Sequence, residues 1–240
     1  MCEFKWRLRM FPPDDALQLL SVIKEFRSFS IHDLQAVEKN CRWCRYEPDE
    51  EIVRYHDCAD SVFFIVEGKV RVNYYSAYGK EVILCDLCQS EMFGELTAID
   101  HQPRSATVIA REKTLIASMS SESFLELIYI NRNFSNAILL RLTGQIRRLT
   151  ERIFESETLK VPNRIRAKLF QLAQMGGQVL NNEAIILLTP THEELACLIG
   201  THREAVTREL NELKKHKVIT YEGHRIHVLN MKKLHEMIYV

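Results

Sequence analysis

The chain has 240 residues and 28.1 kDa, with 46% hydrophobic and 27% charged residues and 32 Lys+Arg balancing 32 Asp+Glu. This composition excludes a disordered or low-complexity chain and suits two compact domains better than one core; no apolar run approaches the roughly 18 residues of a membrane span. The zero net charge hides an asymmetry, since residues 160–240 carry 12 Lys+Arg against 8 Asp+Glu, while residues 1–159 carry 20 against 24.

The opening MCEFKWRLRMFPPDD has no apolar stretch of the secretion-signal kind, so a cytoplasmic protein with no membrane partner is expected. From about 14 to 40, Leu17, Leu20, Ile23, Leu34 and Val37 recur at spacings that predict amphipathic helix. From Trp43 to about Met119 the pattern changes to short β-rich runs, among them EIVRY, SVFFIVEGKVRVNYY and EVILCDL. Turn signals at Pro48-Asp49, Glu67-Gly68 and Tyr78-Gly79 punctuate them, as in a sandwich or barrel. Within 61–75, Val62, Phe64 and Val66, then Val70, Val72 and Tyr74, alternate on either side of Gly68, which predicts an antiparallel hairpin with one buried face.

A short helix is expected at Ser121–Tyr129 and a long one at about 135–159. In the latter, Leu139, Leu142, Ile146, Leu149 and Ile153 form a seam at spacings of 3 and 4, suited to pairing with a second copy or to covering the chain's own barrel. Val161-Pro162 breaks that helix, and another is expected over 163–175, ending at Gly176-Gly177. Ile185–Leu188 reads as a strand. TPTHEELACLIGTHREAVTRELNELKKHKV reads as two helices about Gly200, and VITYEGHRIHVL as a hairpin turning at Gly223; together these make a winged helix-turn-helix.

Thr191 with Glu194 and Thr201 with Glu204 have the spacing of capping boxes. On the second helix Val206, Leu210 and Leu213 share one face. His202, Arg203, Glu204, Thr207 and Arg208 project elsewhere, either as an ordinary solvated face or as a set that reads base edges and phosphates. The segment GTHREAVTREL resembles the recognition helix of the CRP/FNR family, the bacterial cyclic-AMP receptor protein and its relatives. The resemblance implies that Arg203, Glu204 and Arg208 read bases and that His202 meets a phosphate. Thr191, Thr201 and Thr207 complete the expected DNA surface, and a homodimer on a palindrome of GTGA-like half-sites follows from the same likeness.

The segment FGELTAIDHQPRSATV, residues 93–108, resembles that family's phosphate-binding cassette. By that resemblance Gly94 lets the backbone approach a cyclic nucleotide, Glu95 accepts from the ribose 2′-hydroxyl, Leu96 and Thr97 supply main-chain donors, and Arg104 with Ser105 holds the cyclic phosphate. Leu149 and Thr150 fall where the family places its purine contacts, although Leu149 is also a seam position. Cyclic AMP is the expected effector, cyclic GMP is compatible, and no catalytic cofactor is expected.

Two Cys-x-x-Cys pairs, Cys41/Cys44 and Cys85/Cys88, accompany Cys2, Cys58 and Cys197. Buried reduced thiols acting as small hydrophobes are expected in preference to a metal or redox site. No catalytic motif is present, so an enzyme is not expected.

The resemblance therefore implies an α+β chain. Its expected parts are a leader (1–19), a cyclic-nucleotide-binding β-roll of jelly-roll-like barrel type (20–134), a long dimerisation helix (135–160) and a winged helix-turn-helix domain (161–240). Double-stranded DNA and RNA polymerase are the expected partners, and nucleotide binding is expected to reorient the recognition helices. The alternatives left open are the same fold gated by a metal or redox signal, a constitutive DNA binder with a vestigial pocket, and a nucleotide-binding subunit that does not touch DNA.

Overall fold

The computed structural model describes residues 13–75, 81–176, 181–187, 189–223 and 225–239. Most of the leader, Cys2, the Tyr78-Gly79 turn, Gly177 and Leu188 lie outside the described residues. Where one helix is expected over 14–40, three pieces occur: α1 (Ala16–Ser21), a 3₁₀ turn (Lys24–Phe26) and α2 (Ile31–Lys39). Ile23 is extended, with φ −64° and ψ 129°, which ends the first run. Ser30 starts the next as a capping box, its Oγ accepting from Asp33 N at 3.2 Å while the Asp33 carboxylate accepts from Ser30 N at 2.9 Å. The periodic apolar residues still point inward, since Leu20, Ile23, Leu34 and Val37 are all buried in one cluster with Phe64, Phe124 and Phe134.

Among the described residues eight strands follow: β1 (Arg42–Tyr46), β2 (Glu51–Val53), β3 (Val62–Glu67), β4 (Lys69–Tyr75), β5 (Glu81–Cys88), β6 (Met92–Phe93), β7 (Thr107–Ala110) and β8 (Thr114–Met119). They form two antiparallel four-stranded sheets, ordered β1-β8-β3-β6 and β2-β7-β4-β5. The hairpin expected over 61–75 is therefore not formed, nor is its single buried face, since β3 is buried on both sides from Val62 to Val66, and in β4 Arg71 and Asn73 are buried while Tyr74 is exposed. β3 pairs with β8 and β6, β4 pairs with β7 and β5, and the chain changes sheet at Gly68. Gly68 has φ +88°, and a Cβ there would lie 2.6 Å from both Lys113 O and Thr114 Oγ1, so no larger residue fits the crossing without strain. The inward residues of both sheets, including Val53, Phe63, Ile65, Val70, Phe93, Val108 and Ile116, pack as a second cluster.

Between β6 and β7 lies α3 (Glu95–Asp100), and after β8 come α4 (Ser121–Ile130) and α5 (Arg132–Thr158). Phe134 and Ile138 root the start of α5 in the first cluster. The chain divides into two compact units between Gly144 and Gln145, within α5.

In the second unit α6 (Val161–Gly176) carries Pro162 in its first turn, where a missing N–H costs nothing. Then come β9 (Ala184–Ile186), α7 (His192–Ile199), α8 (Arg203–Lys215), β10 (Ile219–Glu222), β11 (Arg225–Val228), α9 (Met231–Glu236) and a 3₁₀ turn (Met237–Tyr239). β10, β11 and β9 form one antiparallel sheet, so the expected strand joins the expected hairpin as a third member. Gly200, with φ +76°, ends α7 in the left-handed conformation that makes the turn. Ile165, Leu169, Leu195, Val206, Leu210, Leu213, Ile226 and Leu234 form this unit's core. α9 has no counterpart in the sequence reading.

Gly68→Ala forces a left-handed alanine against backbone, so a loss of roughly 1–3 kcal/mol of unfolding free energy is expected in urea titration, with the slope unchanged.

Candidate functional site

The cassette segment is assembled around one buried cation. Arg104 is only 3% exposed, and its guanidinium donates to Gly94 O at 3.0 Å and to Ser61 O at 2.6 Å, with its carbon 5.5 Å from the centre of the Phe63 ring. The backbone around it is pinned as well, since His56 N donates to Arg104 O and Arg104 N to Asp57 O, each at 2.9 Å. Gly94 makes this possible: it has φ +86°, and a Cβ would sit 2.7 Å from Arg104 Nη1 and 2.8 Å from Ser61 O. Burial lowers the Arg104 pKa, opposed by the charges of Asp60, Asp57 and Glu95. Its Nε is buried without a hydrogen-bond partner. A desolvated guanidinium with an unanswered donor fits an anionic group such as a phosphate.

The other expected ligand residues lie close by in sequence with different exposures. Glu95 and Thr97 are buried in α3, whereas Leu96 and Ser105 are exposed. Glu95 is joined by a residue the sequence reading missed, Arg141 of α5. Its Nε lies 3.7 Å from Glu95 Oε1 and its Nη1 lies 3.5 Å from Glu25 Oε1, while Nη2 donates to Met92 O. No motif announces Arg141, because its role depends on which face of the helix meets the barrel. Leu149 and Thr150 are both exposed on α5, and the Thr150 hydroxyl donates to Ile146 O at 3.0 Å.

Of the seam, Leu139, Ile146, Leu149 and Ile153 are 63%, 64%, 56% and 63% exposed. Leu142 differs, packing partly against the first unit's core.

Four of the seven expected DNA-facing residues lie together on α8, while Thr191, Thr201 and His202 precede α7 or α8. Arg203, Glu204, Thr207 and Arg208 share one open face of the helix with Asn211, which the sequence reading missed although it lies one turn beyond Thr207. The capping expectation holds at one helix and fails at the other. Thr191 Oγ1 accepts from Glu194 N at 3.2 Å, with Thr191 N donating to Glu194 Oε2 at 2.9 Å. α8 is preceded by His202 as its N-cap with no side-chain cap bond, so Thr201 and Glu204 make no capping box. The start lies one residue later than that spacing requires, which places Glu204 on the outward face. The opposite face carries a buried charge: Arg166 Nε donates to Glu209 Oε1 at 2.7 Å, and Arg166 Nη1 donates to Asn163 Oδ1 and Met237 O.

The Cys-x-x-Cys pairs lie apart in the topology, Cys41 just before β1 and Cys44 within it, Cys85 and Cys88 on β5 of the other sheet. Burial pushes the Cys41 thiol up to about 12, which suits an inert apolar side chain, but Cys58, Cys85 and Cys88 are exposed, so the expectation of buried thiols fails for these three. Among the described residues no group of three His, Cys, Asp or Glu side chains is placed to hold a metal.

Glu25 supplies a pH test of the Arg141 cluster. Burial raises its pKa above the ordinary 4.5, against the attraction of Arg141. A carboxyl whose folded pKa is raised favours the fold in its protonated form, so its contribution is fullest below 4.5 and is lost as pH rises through the folded value. Glu25→Gln is therefore expected to raise the thermal midpoint at neutral pH, and the gap from wild type is expected to close on acidification.

Comparison with known proteins agrees with this geometry. Residues 43–131 match the model of the cyclic nucleotide-binding domain and residues 163–237 that of the Crp-like helix-turn-helix domain. The cAMP-activated global transcriptional regulator CRP of Salmonella typhimurium is 30% identical over 192 residues, 78% of this chain and 89% of that one. A CRP-like cAMP-activated global transcriptional regulator of Mycobacterium tuberculosis is 27% identical over 175 residues, 73% of this chain and 78% of that one. Among solved structures, a CooA mutant from Carboxydothermus hydrogenoformans shares the fold, with a TM-score of 0.77 and 23% identity over 92% of this chain and 95% of that one. With a cyclic-nucleotide-binding β-rich domain, a long helix and a DNA-binding helix-turn-helix domain, the chain belongs to the CRP/FNR family of transcription regulators, which are not enzymes.

Proposed function

We propose that this regulator responds to a cyclic nucleotide, cyclic AMP being the first choice, and acts as a cytoplasmic homodimer on a palindrome of GTGA-like half-sites. One observation carries the sensing half of the reading: the buried Arg104 guanidinium, with Nε unanswered, beside a glycine that admits no side chain. A cyclic phosphate brought to Arg104 would answer that donor, and the buried Glu95 carboxylate, near Arg141, would accept from a sugar hydroxyl. Gly94, Leu96, Thr97 and Ser105 complete the proposed cassette. No helix among the described residues is long and apolar enough to cross a membrane, in keeping with the proposed location.

Arg203, Glu204 and Arg208 are the proposed base readers. Arg forks onto guanine O6 and N7, and Glu accepts from cytosine N4. His202, Thr191 and Thr201 are proposed to lie along the phosphates. The homodimer is proposed along α5, where Leu139, Ile146, Leu149 and Ile153 leave an apolar stripe that a second copy of the same helix would cover. Contact with RNA polymerase is part of the same reading and rests on family membership.

Calorimetric titration is expected to show saturable binding of cyclic AMP or cyclic GMP, weakened roughly 100-fold or more by Arg104→Leu through loss of charged hydrogen bonds. Absence of heat with either nucleotide would remove the sensing half. In gel retardation Arg208→Ala is expected to cost roughly 10- to 100-fold in affinity for the palindrome while leaving the calorimetric titration unchanged. In sedimentation velocity, Ile146→Glu with Leu149→Glu is expected to give a monomer that stays folded, because both residues are exposed in the single chain.

A further inference from the structure

The hydroxyl of Thr207, on the proposed DNA-facing helix, is committed to the protein. It donates to Arg203 O, one turn back, at 3.0 Å, and His192 Nδ1 lies 2.9 Å from the same oxygen. A threonine hydroxyl has one hydrogen, so with that hydrogen on Arg203 O the imidazole Nδ1 is the donor. His192 Nε2 faces the Tyr221 hydroxyl at 3.5 Å. Tyr221 is half-buried on β10, and the Lys214 ammonium stands 5.9 Å from its ring centre. The first turn of α7 thus meets the α8 oxygen directly, and the wing strand reaches it only through the imidazole.

Thr207 also lies on the open outward face of α8 with Arg203, Glu204, Arg208 and Asn211. Its Cβ is tetrahedral and β-branched, so with the oxygen held inward the γ-methyl is the group left for that face. Turning the hydroxyl toward a base would leave the His192 donor without an acceptor in a half-buried position, at a cost in free energy.

We propose that Thr207 reads DNA with its methyl group, packed on the C5-methyl of a thymine in each half-site, and that His192 is the positioning residue that keeps it so. This rests on the reading of α8 as the DNA-facing helix. It assigns to the major groove an apolar contact beside the charged ones.

The test starts from a duplex selected by the wild-type protein out of a random pool, with each thymine then replaced singly by deoxyuridine. One thymine in each half-site is expected to be sensitive, with a loss of about fourfold for each methyl removed, the ratio set by one buried carbon. Thr207→Val, which keeps the methyl, is expected to retain that affinity and sensitivity, and Thr207→Ser to lose both. His192→Ala is expected to blunt the sensitivity and His192→Gln, whose amide still donates, to restore it. If His192→Ala fails to fold, the valine and serine variants still decide. Binding lost in Thr207→Val but kept in Thr207→Ser, or no thymine responding to deoxyuridine, overturns the proposal while the DNA reading stands. A wild-type protein that selects no duplex would instead remove the DNA reading itself.

Discussion

A guanidinium stays charged in a protein interior only where oxygen atoms and counter-charges replace the water it has lost. Arg104 sets that requirement for the first unit, and the surrounding chain is arranged to meet it. Gly94 gives up its side chain so that its carbonyl can accept, Ser61 supplies a second carbonyl, and Asp57, Asp60 and Glu95 supply charge. Asp60 in turn accepts from Ser121 Oγ at the start of α4, so the loop before β3, the cassette and the helix that follows the barrel are tied through one ionic cluster. The crossing at Gly68 keeps β3 and β4 in opposite sheets, which leaves β3 free to pair with β6, the strand that leads into Gly94.

The second unit solves a different problem, that of holding a polar helix at a fixed rotation. Val206, Leu210 and Leu213 bury one side of α8, but apolar packing alone tolerates rotation and slip. The Glu209–Arg166 pair adds direction, because Arg166 is also bound to Asn163 Oδ1 and Met237 O and cannot follow a rotated partner without losing both. Such a pair contributes less to net stability than to the choice of one arrangement, since desolvation offsets much of its attraction. Its effect is to hold Arg203, Glu204, Thr207, Arg208 and Asn211 on the outward side.

Short-range patterns in the sequence were legible where a local rule suffices. The capping box at Thr191, the tight turn at Gly200 and the proline at the head of α6 each depend on residues a few positions apart, whereas the alternation in β3 and β4 did not give a single buried face. The cassette and the recognition helix were legible only through resemblance; their residues are ordinary one by one. Pattern misled where two structures share it. Alternation about a glycine suits a hairpin and a change of sheet equally, and S/T-x-x-E at Thr201 is no cap once the helix begins at Arg203. The periodic run over 14–40 buried the expected side chains, yet an extended Ile23 and the cap at Ser30 divided it.

By itself, then, the chain's order of residues determined the succession of β-rich and helical stretches and the apolar faces of helices such as α8, because those choices follow from periodicities of two and 3.6 residues and from nearby caps. Only the tertiary structure decided that Arg141 meets both Glu25 and Glu95, that Arg166 meets Glu209, and that His192 closes on Thr207. Each of those contacts joins residues 15 to 116 positions apart, and long-range polar pairing leaves no periodic trace; it is set by where packing of the apolar faces happens to bring the helices and strands together.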